Sequence, residues 1–67
     1  MTYHVIDPRR FRLVDSYAWE NDAFERVDFA EGCVVIYCDE ADVQEILDQH
    51  DSALLYELSV KEGWDYD

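Results

Sequence analysis

The 67-residue chain contains one lysine and four arginines, and no basic side chain lies between Arg26 and Lys61. Seventeen aspartates and glutamates give a formal net charge of −12 at pH 7. Nucleic acids and anionic membranes are bound by lysine and arginine, which neutralise their phosphates. The shortage of basic residues therefore argues against direct binding to nucleic acid or to a membrane, and predicts a basic partner.

Glycine and proline are also scarce, with two and one respectively, and no apolar stretch approaches 18 residues. The chain has no low-complexity linker, and it has no basic segment followed by an apolar one as in a signal peptide. With 49% hydrophobic residues it is too apolar for an acidic disordered tail. We expect a single folded domain over residues 1–67, located in the cytoplasm, which is the host cytoplasm if a phage encodes the protein.

The two cysteines, Cys33 and Cys38, are five positions apart. In a strand an odd separation places two side chains on opposite faces, where they cannot form a disulfide. A single Cys-x4-Cys pair does not match zinc-site spacing, and the acids lack the glycine and glutamate positions of an EF-hand loop. The sequence predicts free thiols, no metal site and no cofactor.

The first 20 residues alternate between apolar and polar residues on both sides of the segment "DPRR". Pro8 fixes φ for a turn and Asp7 can accept a turn hydrogen bond, so this segment predicts a β-hairpin. An alternative makes Asp7 the N-cap of a helix that carries Phe11, Val14 and Ala18 on one face. The period of two in the residues after the turn favours strands.

The segment "FERVDFAEGCVVIYC" contains two β-rich runs joined by Ala-Glu-Gly. Because Gly32 can adopt the positive φ that a three-residue hairpin loop needs, residues 24–29 and 33–38 are predicted to form an antiparallel pair. The second run is apolar on both faces, which is typical of a central strand.

After Cys38 the apolar period becomes helical. Asp39 can cap a helix that directs Val43, Ile46, Leu47 and His50 inward. The phase of the pattern changes at Asp51, which predicts a break and a second helix ending near Lys61, with the following leucines inward: Leu54, Leu55 and Leu58. The predicted fold is α+β, a small antiparallel β-meander of three or four strands followed by one or two C-terminal helices.

No catalytic motif is present. The possible nucleophiles and bases have no recognisable spacing, and a chain this short has little room for a pocket. They are His4, His50, Ser16, Ser52, Ser59 and the two cysteines. We expect a non-enzymatic protein with no catalytic residue.

The acidic residues of "DEADVQEILDQHD" are the clearest functional signal. An ordinary solvated helix face mixes both charges, whereas Asp42, Glu45 and Asp48 have no basic partner on their helix. Because these acids are three residues apart, their Cβ atoms lie ~5–6 Å from one another, which is comparable with the distance between successive phosphates on a strand. The predicted partner-binding residues are Asp39, Glu40, Asp42, Glu45, Asp48, Asp51, Glu57, Glu62 and Asp65.

In length, in charge and in its acidic segment "DEADVQEILDQHDSALLYELSVKEGW", the chain resembles small phage and mobile-element proteins that inhibit host defence. Within it, "LLYELSVKEG" resembles a helical segment of a phage anti-restriction DNA mimic. The resemblance implies a DNA-mimic, anti-CRISPR or anti-restriction inhibitor. Its partner would be a basic nucleic-acid-binding protein or complex, such as a CRISPR-Cas or restriction effector. The inhibitor itself would be a monomer or a small homo-oligomer.

Two other interpretations are compatible with the same residues. The first is a small antitoxin-like or accessory module that binds a partner through Trp19, Trp64 and Tyr66. The second is a halophilic protein, whose acids keep it hydrated while salt screens their repulsion. One lysine and ten aspartates fit that adaptation.

Overall fold

The computed structural model describes residues 1–28 and 32–62, and this part contains four strands and three helices. In chain order they are β1 (Thr2–Asp7), β2 (Arg12–Tyr17), α1 (Glu20–Asp28), β3 (Val34–Cys38), α2 (Glu40–Asp48), α3 (Ser52–Leu58) and β4 (Ser59–Glu62). The strands form one antiparallel sheet in the order β2-β1-β3-β4. The predicted α+β class is confirmed, but the helices alternate with the strands instead of following them.

The predicted hairpin at the start of the chain is confirmed as β1 and β2. Its turn is held by a hydrogen bond in which the Arg9 N–H donates to Asp7 Oδ1 over 3.0 Å. The alternative helix starting at Pro8 is excluded because residues 12–17 are paired with β1. A register shift leaves Val14 without a partner on β1, so the outer strand carries a β-bulge.

The predicted central strand is also confirmed, since β3 lies between β1 and β4. Its Val34, Val35 and Ile36 are all buried, although they alternate between the two faces of the sheet. Both faces of this strand must therefore be covered, and the helices lie on both of them.

The prediction of a strand over residues 24–29 is wrong, because residues 20–28 form α1. Ala23 and Val27 are buried one helical turn apart, while Glu20 and Asp22 lie in the first turn. Since β2 and β3 both run antiparallel to β1, they are parallel to each other. Parallel strands need a crossover connection, which α1 provides in place of the predicted hairpin loop.

Gly32 has the positive φ that the sequence predicts, 83°, but it lies before β3 in the connection from α1. A Cβ at this position would collide with the guanidinium of Arg9. The glycine is therefore required for its backbone conformation, whereas the guanidinium, at the end of an exposed and flexible side chain, could move away from a Cβ.

The predicted break at Asp51 is confirmed. Its side chain accepts a hydrogen bond from the Leu54 N–H over 3.2 Å and caps α3. The second helix is shorter than predicted, however, because it ends at Leu58 and the chain continues as β4 along β3. Leu58 is 40% exposed instead of facing inward, while Leu55 is completely buried.

The sheet separates two apolar clusters. On the α2 and α3 side the buried residues are Ile6, Val34, Ile36, Cys38, Val43, Leu47 and Leu55. On the α1 side they are Val5, Ala23, Val27, Cys33 and Val35. The structure thus has three layers, with helix on both faces of a four-stranded sheet.

The contrast between Leu55 and Leu58 tests this arrangement. We expect Leu55→Ala to lower the free energy of unfolding by about 2–5 kcal/mol, because it leaves a cavity between α3 and β3. Leu58→Ala, the matched control on the same helix, should change it by less than about 1 kcal/mol. Urea unfolding followed by circular dichroism measures both free energies. Equal losses would contradict the burial of Leu55 and the exposure of Leu58.

Candidate acidic interface

The outer surface of α2 carries the main group of predicted partner-binding residues. Val43 and Leu47 point into the core, which fixes the rotation of the helix about its axis. All four of its acids are consequently exposed: Glu40, Asp42, Glu45 and Asp48. Asp39, at the N-cap, is exposed as well, although its side chain makes no capping hydrogen bond.

Few of these carboxylates are neutralised. Among residues 1–28 and 32–62 there are two ion pairs, one of them between the α-amino group of Met1 and Asp39 at 3.7 Å. Asp48 accepts a hydrogen bond from the amide of Gln44 over 3.0 Å, and this bond carries no compensating charge. Glu40, Asp42 and Glu45 therefore project into solvent without a basic neighbour in this part of the chain.

The remaining predicted residues lie outside α2. Asp51 is exposed, but its carboxylate is engaged in capping α3. Glu57 and Glu62 are exposed on α3 and on β4 respectively. Asp65 lies outside the described residues, as do Trp64 and Tyr66.

The single lysine is also placed differently from the prediction, in which the second helix ends near Lys61. In such a helix Lys61 would lie one turn after Glu57 and pair with it. In the structure Lys61 belongs to β4, and its ammonium lies 3.7 Å from a carboxylate oxygen of Asp28 on α1. Glu57 is consequently left without that partner.

A second acidic surface was missed by the sequence reasoning. The outer side of α1 exposes Glu20, Asp22, Glu25 and Asp28. The helical spacing of Ala23 and Val27, with acids in the first turn, is the signal that could have identified it. This surface differs from that of α2 because it includes Arg26, which lines a shallow depression together with Tyr17, Asp22 and Glu25.

One pair of potential catalytic groups does come together. His4 is completely buried, and its Nδ1 lies 2.8 Å from Ser16 Oγ. Its Nε2 lies 3.1 Å from the carbonyl oxygen of Cys38, and since a carbonyl can only accept, Nε2 carries the proton. In the neutral form of the ring, Nδ1 then accepts from the serine hydroxyl. With both ring nitrogens bonded inside the protein, this arrangement fits a structural link between β1, β2 and the end of β3.

The sequence places the other histidine, His50, on the inner stripe of the helix, and this prediction is wrong. His50 follows α2 with a φ of 50° and is exposed. Its ring stacks on Phe11 with centroids 5.0 Å apart and planes 6° from parallel. Phe11 also has a positive φ, 52°. Because Phe11 lies at the hairpin turn and His50 at the break between α2 and α3, their contact joins these two segments.

The two cysteines behave as the spacing predicted. Both are free and buried, with Cys33 in the α1-side cluster and Cys38 in the α2-side cluster. Burial raises the pKa of each thiol above its ordinary value, and nearby carboxylates add to the effect: Asp7 for Cys33, and Asp42 and Asp39 for Cys38.

Within the described ranges no three acidic, histidine or cysteine side chains are grouped to hold a metal ion. The helices of that part of the chain are all too short and too polar to cross a bilayer. No protein-family model matches the chain, and no curated protein or solved structure matches it either. The acidic surface of α2 is therefore the candidate site on geometry and charge alone.

Thiol reactivity tests the placement of the cysteines. Because the thiolate is the reactive form, a raised pKa and burial should both slow modification of the folded protein at pH 8. We expect slow reaction with an aromatic disulfide reagent in buffer and rapid titration of two thiols in guanidinium chloride. The single variants Cys33→Ser and Cys38→Ser assign each rate. Rapid modification of either thiol in the folded protein would contradict its position in the core.

Proposed function

We propose that this protein is a non-enzymatic inhibitor that imitates nucleic acid and blocks the basic nucleic-acid-binding site of a host defence complex, of the CRISPR or restriction type. The observation that supports this most strongly is the outer surface of α2. It is single-signed and exposed, and it is oriented by the buried apolar side of the helix. A surface of this kind is attractive to lysine and arginine and repels phosphate.

The charge density of α2 is comparable with that of a nucleic-acid strand. Because Asp39 is paired with the α-amino group of Met1, the uncompensated carboxylates are the four of residues 40–48, and at 1.5 Å per residue they span roughly 14 Å of helix axis. This gives about one charge per 3–4 Å, against about 3.4 Å per phosphate on one strand of DNA. A groove spaced to neutralise phosphates would therefore meet a similar number of charges on this helix.

The mechanism is competition for that groove. The partner's lysines and arginines bind the carboxylates in place of phosphates, and the body of the domain blocks access of the substrate. No bond is made or broken, so the mechanism requires neither a catalytic residue nor a cofactor. It operates where the defence complex operates, in the cytoplasm of the host cell.

We assign the contact to α2 and not to α1 because the two helices differ in their neutralising charges. On α1, Arg26 lies beside Asp22 and Glu25, and Asp28 is paired with Lys61. On α2 the sequence contains no base at all. The surface that needs a partner to compensate its charge is that of α2.

A second candidate is supported by Trp19, which is 73% exposed where β2 ends and α1 begins. A large exposed aromatic ring is a common anchor in protein interfaces. The corresponding function is that of a small accessory or antitoxin-like module, in which Trp19 contributes more affinity than the carboxylates.

Matched double variants test the proposal. Asp42→Asn with Glu45→Gln removes two charges from α2, and Asp22→Asn with Glu25→Gln makes the same two changes, at the same spacing, on α1. With each exposed contact worth about 0.5–1 kcal/mol, we expect the α2 variant to inhibit roughly five- to thirtyfold less well. The α1 variant should stay within about threefold of the unmodified protein. The assay is inhibition of target cleavage by purified CRISPR and restriction nucleases.

Each other outcome has a distinct meaning. Equal losses from both variants would show that total charge, and not the surface of α2, determines inhibition. Unchanged inhibition by the α2 variant, with a loss for Trp19→Ala, would favour the aromatic-anchored module. Nucleic acid that remains bound to the nuclease in the inhibited complex would contradict mimicry.

A further inference from the structure

Three tyrosines from three different strands form a single row at one end of the sheet. Tyr3 on β1 is the direct partner of Tyr17 on β2 and of Tyr37 on β3. The rings of Tyr3 and Tyr37 are 4.4 Å apart at their centroids and tilted by 31°. Directly paired residues share a face of the sheet, so all three rings lie on the side covered by α1.

Carboxylates accept hydrogen bonds from the hydroxyl groups of two of these tyrosines. The Tyr17 hydroxyl donates to Asp15 Oδ2 over 2.9 Å, and the Tyr3 hydroxyl donates to Glu20 Oε2 over 3.5 Å. Desolvation is the main factor that raises the pKa of both phenols, and the adjacent carboxylates raise it further. The rings therefore remain neutral, with electron-rich faces next to negative charge.

A cation already occupies this side of the sheet. The ammonium of Lys61 lies 5.4 Å from the ring centroid of Phe24 while it pairs with Asp28. Phe24 in turn contacts Tyr3 edge-to-face, at 6.4 Å and 81°. The same aromatic group thus holds one positive charge between a ring and a carboxylate, which is the geometry of a cation–π site.

The row has an open end at Tyr37, which is 43% exposed, whereas Tyr3 and Tyr17 are half-buried. Aromatic rows on sheets often stack the bases of single-stranded nucleic acid. A chain with a charge of −12 repels the phosphates that would accompany those bases. A guanidinium is planar and stacks on aromatic rings as a base does, and it carries the opposite charge from phosphate.

We propose that the tyrosine row Tyr17–Tyr3–Tyr37 is a binding site for an arginine side chain, which stacks on Tyr37 and is attracted by Glu20. The inference rests on the proposed function only in that the partner is basic. It adds a second contact, on the face of the sheet opposite α2, that is selective for arginine over lysine.

An oligo-arginine peptide and an oligo-lysine peptide of equal length are the probes, with calorimetry at fixed ionic strength as the measurement. We expect tighter binding of the arginine peptide, and a loss of roughly two- to fivefold in its affinity for Tyr37→Leu. Tyr37→Phe keeps the ring and should bind like the unmodified protein. Tyr56→Leu is the matched control, since Tyr56 is similarly exposed, at 46%, but lies on α3 outside the row.

Several results would overturn this assignment. They are equal binding of the two peptides, equal losses for Tyr37→Leu and Tyr56→Leu, or tighter binding of a single-stranded oligonucleotide than of the arginine peptide. Thermal unfolding of each variant shows whether a loss of binding reflects a loss of folding, and rescue by Tyr37→Phe excludes a packing effect.

The α2 double variant separates the two proposals. If it inhibits nucleases normally while Tyr37→Leu loses arginine selectivity, mimicry by α2 fails and the tyrosine row stands. If the α2 double variant loses inhibition while Tyr37→Leu keeps its selectivity for arginine, the tyrosine row fails and mimicry by α2 stands.

Discussion

The burial of β3 on both of its faces is the constraint on which the rest of the structure depends. Val34 and Ile36 need cover on one side, and Val35 needs it on the other. A chain of 67 residues meets this demand only by placing short helices on both sides of the sheet. Once α1 and α2 each direct one apolar stripe inward, their remaining residues have to face solvent.

The sign of those solvent-facing residues is not a consequence of folding. A helix of nine residues is stabilised by acids near its N-terminus, as Glu40 and Asp42 are in α2, but it gains from basic residues near its C-terminus. The last turn of α2 has no basic residue, whereas α1 has Arg26 in that place. The one-signed surface of α2 therefore forgoes a local stabilisation, which the proposed binding role would explain.

The parts of the fold with strong local signals could be predicted from the sequence. Pro8 and Asp7 mark the hairpin turn, the run from Val34 to Ile36 marks a central strand, and Asp51 caps a helix at the phase change. The exposure of the acidic residues of α2 could also be predicted, because Val43 and Leu47 determine which side of the helix faces inward.

The errors arose where local and long-range demands compete. Residues 24–28 contain phenylalanine and valine, residue types that are common in strands, but their spacing of three fits one face of a helix. The need for a crossover between the parallel strands β2 and β3 decides for the helix. β4 could not be predicted because it is an edge strand of four residues, and its pairing with β3 depends on the order of the strands and not on a local pattern. The tyrosine row joins positions 3, 17 and 37, and its existence depends on the order and register of the strands.

The salt dependence of binding tests the central claim most directly. The measurement is the dissociation constant of the complex with a basic defence nuclease, taken between about 50 and 200 mM salt, beside that of the nuclease with its own nucleic acid. If the carboxylates of α2 take the place of phosphates, affinity for this protein should fall steeply with added salt, as it does for the nucleic acid. An affinity that stays nearly constant over this range would contradict the account, because it would show that apolar contacts hold the complex together.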